Sequence, residues 1–370
     1  MKQTRSNRSL PEEIIMEILS WLPVKTLLRF KSASKSLLNL IISSRFVKLH
    51  LRRSRNRNSN IILLRLGKSF LASFDVDHPE RPIVQLDIHL DAIKLLEPLH
   101  SCNELRIPRI IGICNGVICF RTTENITLYN PATRVYRQVP RRLSHAWRRD
   151  ELIVYDCVSD DFKIFSIIQY AKETELKDSE IYLHKLKNNS WSKIECPPRL
   201  FHSELSSSNI ANNSLYWITF NYDSKNEMLM RFDVSSHRFE EIPLPIQIIR
   251  FRSWIIGMGV LKGRLHMMMF ENGFNIWILK DDNCWTRVFY CSDWEYKLSS
   301  HSLKGFSPSL YGYSKDGRKI IIGPERLQKF KKVICCDLES QTISVVQVLG
   351  LPEGGTFTAV PWAESLVPLS

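Results

Sequence analysis

LYNPATRVYRQVP, residues 128–140, is the stretch whose wording settles most of this chain. An apolar run leads into a polar turn, then an aromatic anchor at Tyr136, then a proline. Four downstream segments are built the same way: LHKLKNNSWSKIECPP (183–198), RFDVSSHRFEEIPLP (231–245), ILKDDNCWTRVF (278–289) and CDLESQTISVV (336–346). A weaker copy, FDVDHPERPIVQLD (74–87), comes before them. The anchors are Ile83, Tyr136, Trp191, Phe239, Trp285 and Ile343, about 50 residues apart. Between them the texture is short β-type runs bounded by turn residues.

A sheet of a few short strands cannot bury both of its faces. Stacked radially, copies of it can, and a period of about 50 residues with several strands per copy is that of kelch-type propellers. The repeat predicts a propeller of about six blades over residues 60–370, with the anchors filling the gaps between blades. The competing arrangement is an all-β sandwich in which the pattern is an edge strand and its turn; the regularity of the copies favours the propeller. The paired glycines and Tyr…Trp spacing of true kelch repeats are missing. The tail, Phe357–Val367, has strand character and is predicted to close the ring by completing the blade begun at the other terminus.

Upstream the periodicity becomes helical. SLPEEIIMEILSWLPVKTLLRFKSASKSLLNLI, residues 9–41, reads as three short helices. Ser9 with Glu12 forms a capping box, and Pro11 suits a first turn. Ile14, Ile18, Leu19 and Leu22 recur before Pro23; Val24, Leu27 and Leu28 mark the second helix; Leu37, Leu38, Leu40 and Ile41 mark the third. Three such helices bury too little surface to stand alone. They are therefore either a module that docks a partner or a cap packed on its own domain. The predicted organisation is a disordered stretch at 1–8, the helical module at 9–50, a basic linker at 51–59 and the β-domain at 60–370, an α+β multidomain chain.

The 370 residues are 44% hydrophobic and 24% charged, ordinary for a globular protein. MKQTRSNRS has no apolar core and no run of about 18 apolar residues follows, so neither a secretion signal nor a membrane span is expected. Nine cysteines without a CxxC pair read as reduced thiols in a cytoplasmic and/or nuclear protein. The net charge of +13 is concentrated in two segments: Arg45, Lys48, Arg52, Arg53, Arg55 and Arg57, then Arg134, Arg137, Arg141, Arg142, Arg148 and Arg149. The second surrounds Trp147. Arginine with an aromatic can neutralise phosphates and stack on bases, but no nucleic-acid motif accompanies it. An acidic protein surface is the simpler partner. Arg141, Arg142, Trp147, Arg148 and Arg149 are thus predicted to lie on a solvent-facing connection that meets a target.

Catalytic constellations do not assemble from the sequence. A copper site of the kind some kelch propellers carry needs His and Tyr ligands beside a cysteine, whereas the ten histidines are scattered. His266, beside Met267-Met268-Met269, reads as a strand residue. Cys335 and Cys336 point to opposite faces of one strand, and Gly257-x-Gly259-x-x-x-Gly263 has the wrong spacing for a dinucleotide loop and precedes a strand. No catalytic residue, metal or cofactor is expected.

The helical string resembles the F-box of plant F-box proteins at Leu10, Pro11, Ile14, Ile18, Leu19, Leu22, Pro23, Val24, Leu27, Leu28, Arg29, Phe30 and Lys35. In that family the motif docks on a Skp-family adaptor and through it joins a cullin. The resemblance implies adaptor contacts at Leu10, Pro11, Ile14, Ile18, Leu19, Leu22, Pro23, Leu27, Leu28, Phe30 and Lys35. The family's Cys-Val-Cys and Trp are replaced by Ser32, Ala33, Ser34 and Leu37, which implies a weaker distal contact. IGICNGVICF (111–120), ELIVYDCVSDDFKI (151–164), NSLYWI (213–218), GVLKGRL (259–265) and LYGYSKDG (310–317) are similar to the plant F-box-associated domain. WAESLVPL (362–369) resembles its ending in the S-locus F-box branch and its relatives, the immune-regulator group among them. The implied function is substrate recognition in an SCF-type ubiquitin ligase. No chemistry is done by the chain itself, and a target is held by the loops Arg141–Asp150, Ala171–Ser179 and Ser292–Gly305. The alternative is a ligase-independent propeller that binds nucleic acid or an acidic protein. Of the two contexts the resemblance offers, pollen recognition of pistil ribonucleases and control of immune-receptor abundance, the positive charge disfavours the first, because those ribonucleases are basic.

Overall fold

Four helices open the chain: α1 (Glu12–Leu19), α2 (Val24–Lys31), α3 (Lys35–Ile42) and α4 (Ser44–Arg57). The computed structural model describes residues 10–57, 60–65, 70–75, 78, 81–85, 109–121, 125–141, 148–171, 176–195, 210–211, 213–221, 226–246, 253–294, 308–324, 326–327, 332–350 and 357–369. Ser9 of the expected capping box lies outside these residues. Helix α1 begins at Glu12, with Pro11 at its N-cap and no side-chain cap, so the helix starts later than that box requires.

The segment expected to be a basic linker is the second half of α4. Phe46, Val47, His50, Leu51 and Ser54 are buried at helical spacing, a stripe that the surrounding arginines obscure. Arg53 lies over the Trp21 ring at 4.4 Å, pairs with Glu17, and donates to the Glu17 carbonyl at 2.8 Å. Its charge ties α4 to the end of α1.

The β-domain is a ring of antiparallel meanders. β1 (Asn60–Arg65), β2 (Phe70–Asp75) and β3 (Val84–Gln85) begin the first blade. The second holds β4 (Arg109–Cys114), β5 (Val117–Arg121), β6 (Asn125–Asn130) and β7 (Val135–Pro140). The third holds β8 (Arg148–Asp156), β9 (Asp161–Ala171), β10 (Leu176–Lys185) and β11 (Ser190–Ile194). The fourth holds β12 (Ile210–Ala211), β13 (Ser214–Asn221), β14 (Asn226–Asp233) and β15 (Phe239–Ile242). The fifth holds β16 (Ser253–Leu261), β17 (Arg264–Glu271), β18 (Phe274–Leu279) and β19 (Trp285–Cys291). The sixth holds β20 (Pro308–Tyr313), β21 (Lys319–Pro324), β23 (Lys332–Asp337) and β24 (Thr342–Gln347), whereas β22 (Arg326–Leu327) and β25 (Phe357–Trp362) join the first.

Among the described residues there are thus five four-stranded sheets and one five-stranded sheet, ordered β22-β25-β1-β2-β3. The ring closes as expected: β25 pairs with β1 from Asn60↔Trp362 to Arg65↔Phe357. The strand ends there, so Ala363–Leu369 is not strand. Strands β25, β4 and β8 are successive neighbours from blade to blade, as are β12, β16, β20 and β25.

The anchors have a common address, on or beside the outermost strand of each sheet. Trp191, Phe239, Trp285 and Ile343 are half-buried, each packed on the core shared with the preceding blade. Trp285 also donates from its indole nitrogen to the Pro243 carbonyl at 2.8 Å. Tyr136 departs from the pattern: at 43% exposed it fills no gap.

Within each meander the first and third turns lie at one end of the blade, and the second connection and the link onward lie at the other. The helical module sits at the first end, against the turns at Asn115-Gly116 and Cys157–Asp160. By the same geometry the links after Arg141, Ala171 and Ser292 leave at the far end. Among the described residues no helix is long and apolar enough to cross a membrane.

Candidate docking face of the helical module

Leu10, Ile14 and Ile18 recur every fourth residue and therefore share one side of α1 and its approach. All three are exposed, as are Pro11, Trp21, Pro23 and Phe30 nearby and Ile42 at the end of α3. Six of the eleven exposed large apolar side chains among the described residues belong to residues 10–42. The opposite side of the module is fully used: Met16, Leu19, Val24, Leu27, Leu40, Ile41, Phe46 and Val47 form one core with Ile111, Val117, Leu128, Val139 and Ile153 of the propeller. One face of the helical string is a cap on its own domain, and the other faces solvent.

This geometry sorts the predicted contact residues. Leu10, Pro11, Ile14, Ile18, Pro23, Phe30 and Lys35 are exposed, and Leu22 and Leu28 are half-buried. Leu19 and Leu27 are buried inside the module and can support a docking face without forming it. The serines that replace the family's small apolar residues have local work. Ser32 is the C-cap of α2, and Ser34 is the N-cap of α3, accepting from the Leu37 amide at 3.1 Å.

Polar clamps fix the module to the propeller. The Lys48 ammonium lies 3.0 Å from Asp160, and the Ser44 hydroxyl donates to the same carboxylate at 3.2 Å. Burial pushes the Asp160 carboxyl up, but hydrogen bonds from Tyr155, Lys48 and Ser44 outweigh it and hold the group below the usual range. Arg55 donates to the Asn115 side chain, and the Val24 amide donates to Glu364 at 3.1 Å.

Sequence reasoning missed the role of the last residues. Leu366, Val367 and Leu369 enter the core shared by module and propeller. Asn130 donates to the carbonyls of Ser365 at 3.0 Å and Val367 at 3.2 Å, Arg137 donates to the Leu369 carbonyl at 3.2 Å, and the Trp362 indole donates to Gly116 at 3.0 Å. Gly116, at φ +78°, makes room: a Cβ there would lie 2.5 Å from the Ala363 oxygen and from Ser365 Cβ. The apolar run Leu366-Val367-Pro368-Leu369 was the available signal.

The predicted target residues do not form one exposed connection. Arg142 and Trp147 lie outside the described residues. Arg148 and Arg149 open strand β8, and Arg141 is part-buried against Glu151 at 3.3 Å. Arginine stems can pack inside a sheet end when a carboxylate waits there, which composition alone does not show.

Comparison with known proteins agrees with this architecture. The model of the F-box associated beta propeller domain matches residues 83–359, and the F-box domain model matches residues 8–49. F-box protein CPR1 of Arabidopsis thaliana is 27% identical over 384 aligned positions, covering 93% of this chain and 86% of that protein. F-box protein At4g22390 of the same plant is 26% identical, covering 96% and 90%. F-box/kelch-repeat protein At3g23880, also from Arabidopsis thaliana, is 25% identical, covering 75% and 77%. A helical module with an exposed apolar ladder, fused to a closed β-ring and matched by both domain models, makes this chain a member of the plant F-box proteins that carry an F-box-associated β-propeller domain.

Proposed function

We propose that this protein is the substrate-recognition subunit of an SCF-type ubiquitin ligase, acting where that ligase acts, in cytoplasm or nucleus. The module docks on a Skp-family adaptor, and through it on a cullin, and the propeller holds a target protein. The chain contributes proximity: it raises the effective concentration of target lysines near a charged conjugating enzyme and makes no bond itself. The observation that supports this best is the exposed Leu10–Ile14–Ile18 ladder on a module whose reverse face is anchored in the propeller. Burying each such side chain contributes about 1.5–3 kcal/mol, so a few contacts decide docking. The far end of the propeller, where the links after Arg141, Ala171 and Ser292 leave the sheets, is the natural target surface, since connections vary on a rigid scaffold. The test is co-purification of the full chain with a Skp-type adaptor, followed by ubiquitin transfer in the reconstituted ligase. The double variant Ile14→Asp, Ile18→Asp should lose the adaptor with its circular dichroism unchanged. Retention of the adaptor by this variant overturns the reading.

A further inference from the structure

The turn between α2 and α3, Ser32-Ala33-Ser34, is exposed along its whole length. Ser32 closes α2 through its backbone, the amide donating to the Arg29 carbonyl at 3.2 Å, while its hydroxyl makes no hydrogen bond among the described residues. The Ser34 hydroxyl is engaged, accepting from the Leu37 amide at 3.1 Å. Residues 24–57 contain no aspartate or glutamate. Arg29, Lys31 and Lys35, which stand three before, one before and three after Ser32, make no ion pair among the described residues. Other cations of the module are answered from a distance, Arg53 by Glu17 and Lys48 by Asp160. Lys31 is half-buried, and burial pulls its ammonium below the ordinary value. The turn thus combines a free hydroxyl with positive charge that has no counterpart.

We infer that Ser32 is a phosphorylation site for a protein kinase that reads basic residues, and that the phosphate lowers the affinity of the docking face for its adaptor. Such kinases choose their acceptor by charge pattern, and an arginine three residues ahead of an exposed serine suits an acidic kinase pocket. The chain must be extended to be read. Only the last turn of α2 has to open for this: the buried residues of the helix, Val24 and Leu27, lie ahead of it, and so short a helix gains little from its own hydrogen bonds. The Ser32 oxygen attacks the γ-phosphorus of ATP, the bond to ADP breaks, and the hydroxyl proton passes to the catalytic aspartate of the kinase. The new group carries a charge of about −1.5 to −2. Arg29, Lys31 and Lys35 are the donors at hand for it. It stands two residues from Phe30, which is 36% exposed on the docking face. A hydrated dianion there must shed water before an apolar partner surface can close over it. This proposal rests on the receptor reading, in which that face meets the adaptor.

The probe is the catalytic subunit of cAMP-dependent protein kinase with ATP, acting on the full-length protein. Phosphate should appear on Ser32 in the mass spectrum of its peptides, and Arg29→Gln should slow incorporation about tenfold, the value of one charge-assisted contact. Adaptor affinity is measured by titration calorimetry before and after treatment. Treatment should weaken binding about tenfold in the natural protein and leave Ser32→Ala at its own untreated value. A phosphatase should restore the natural protein's affinity, which misfolding cannot imitate. The proposal falls if Ser32 stays unmodified, if Arg29→Gln is modified at the natural rate, or if the treated protein binds the adaptor as tightly as the untreated one. The receptor reading fails separately, when the untreated protein does not bind the adaptor; the modification site is then decided by incorporation at Ser32 alone.

Discussion

Replacing Ile18 with aspartate should cost adaptor binding and leave the melting temperature in place. Replacing Leu19 should do something different. The two side chains are adjacent in sequence, yet Ile18 is 53% exposed and Leu19 only 6%. An aspartate at 19 would put a charge into the core that module and propeller share, at a cost of about 3–5 kcal/mol. Thermal unfolding of the two variants checks this: equal melting temperatures would refute the assignment of faces. A second residue-scale prediction concerns His266. Its Nδ1 meets the Arg264 carbonyl at 2.9 Å and its Nε2 meets the Tyr313 hydroxyl at 2.8 Å, an arrangement that fits the neutral ring. Burial pulls the imidazole down to about 4 from an ordinary 6.5. A depressed folded-state value means that the stabilisation is complete above pH 6.5 and is lost as pH falls through 4, by about 3 kcal/mol in all. Urea midpoints measured at pH 7 and pH 4.5 should fall less in His266→Gln than in the natural protein; parallel losses would refute the claim. At this scale the sequence was partly legible. Helical spacing identified which residues belong to the apolar ladder, but spacing alone cannot say which side of so short a helix is covered. That depends on where the rest of the chain comes to lie, so Leu19 and Leu27 were assigned to docking although they are core.

At the scale of elements, the tail is the clearest case of a local feature with a distant cause. Gly116 sits with Asn115 in a two-residue turn, both at positive φ (78° and 52°), between β4 and β5. Its missing side chain leaves the space through which Ala363 and Ser365 pass. Gly116→Ala should therefore destabilise the protein by about 1–3 kcal/mol, through backbone strain and through displacement of the tail. It should also make residues after Trp362 accessible to carboxypeptidase. A variant that melts and resists digestion like the natural protein would show that the tail does not need this path. Strand β25 was readable as strand from Phe357, Ala359 and Val360 ahead of Pro361 and Trp362, and its use in closing the ring follows from the unpaired edge that β1 would otherwise present. The path of Ala363–Leu369 was not readable, since its contacts lie some 230 to 340 residues away, at Asn130, Arg137 and Val24. Helix α4 hid for another reason: arginines fill its exposed side so densely that the stripe of Phe46, Val47 and Leu51 was overlooked.

For the molecule as a whole, the module has no core of its own: it shares one with the second and third blades and the tail, while the other blades pack on clusters between themselves. Met16, Leu19, Leu27, Ile41 and Phe46 from the helices, Ile111, Val117 and Leu128 from the second blade, Ile153 and Phe162 from the third, and Leu366 and Val367 from the tail form one apolar cluster. Such sharing makes the angle between docking face and far propeller end a property of packing instead of a flexible joint. A ligase receptor benefits from that, because a target held at a fixed angle presents its lysines at a repeatable distance. It follows that the parts should not survive separation. Residues 1–58 expressed alone should show little helix, since four short helices with one side uncovered bury too little surface. Residues 60–370 alone would expose the same apolar patch from the other side and should aggregate. Circular dichroism of the first and light scattering of the second test this directly, and mixing the two should restore a soluble, helical complex. In the intact protein, amides of α1–α4 and of β4–β6 should exchange with solvent at a common free energy. A module that folds alone with native helicity, or a propeller that stays monomeric without it, would mean that the shared cluster is a contact between two finished domains, and that the docking face is free to swing relative to the target.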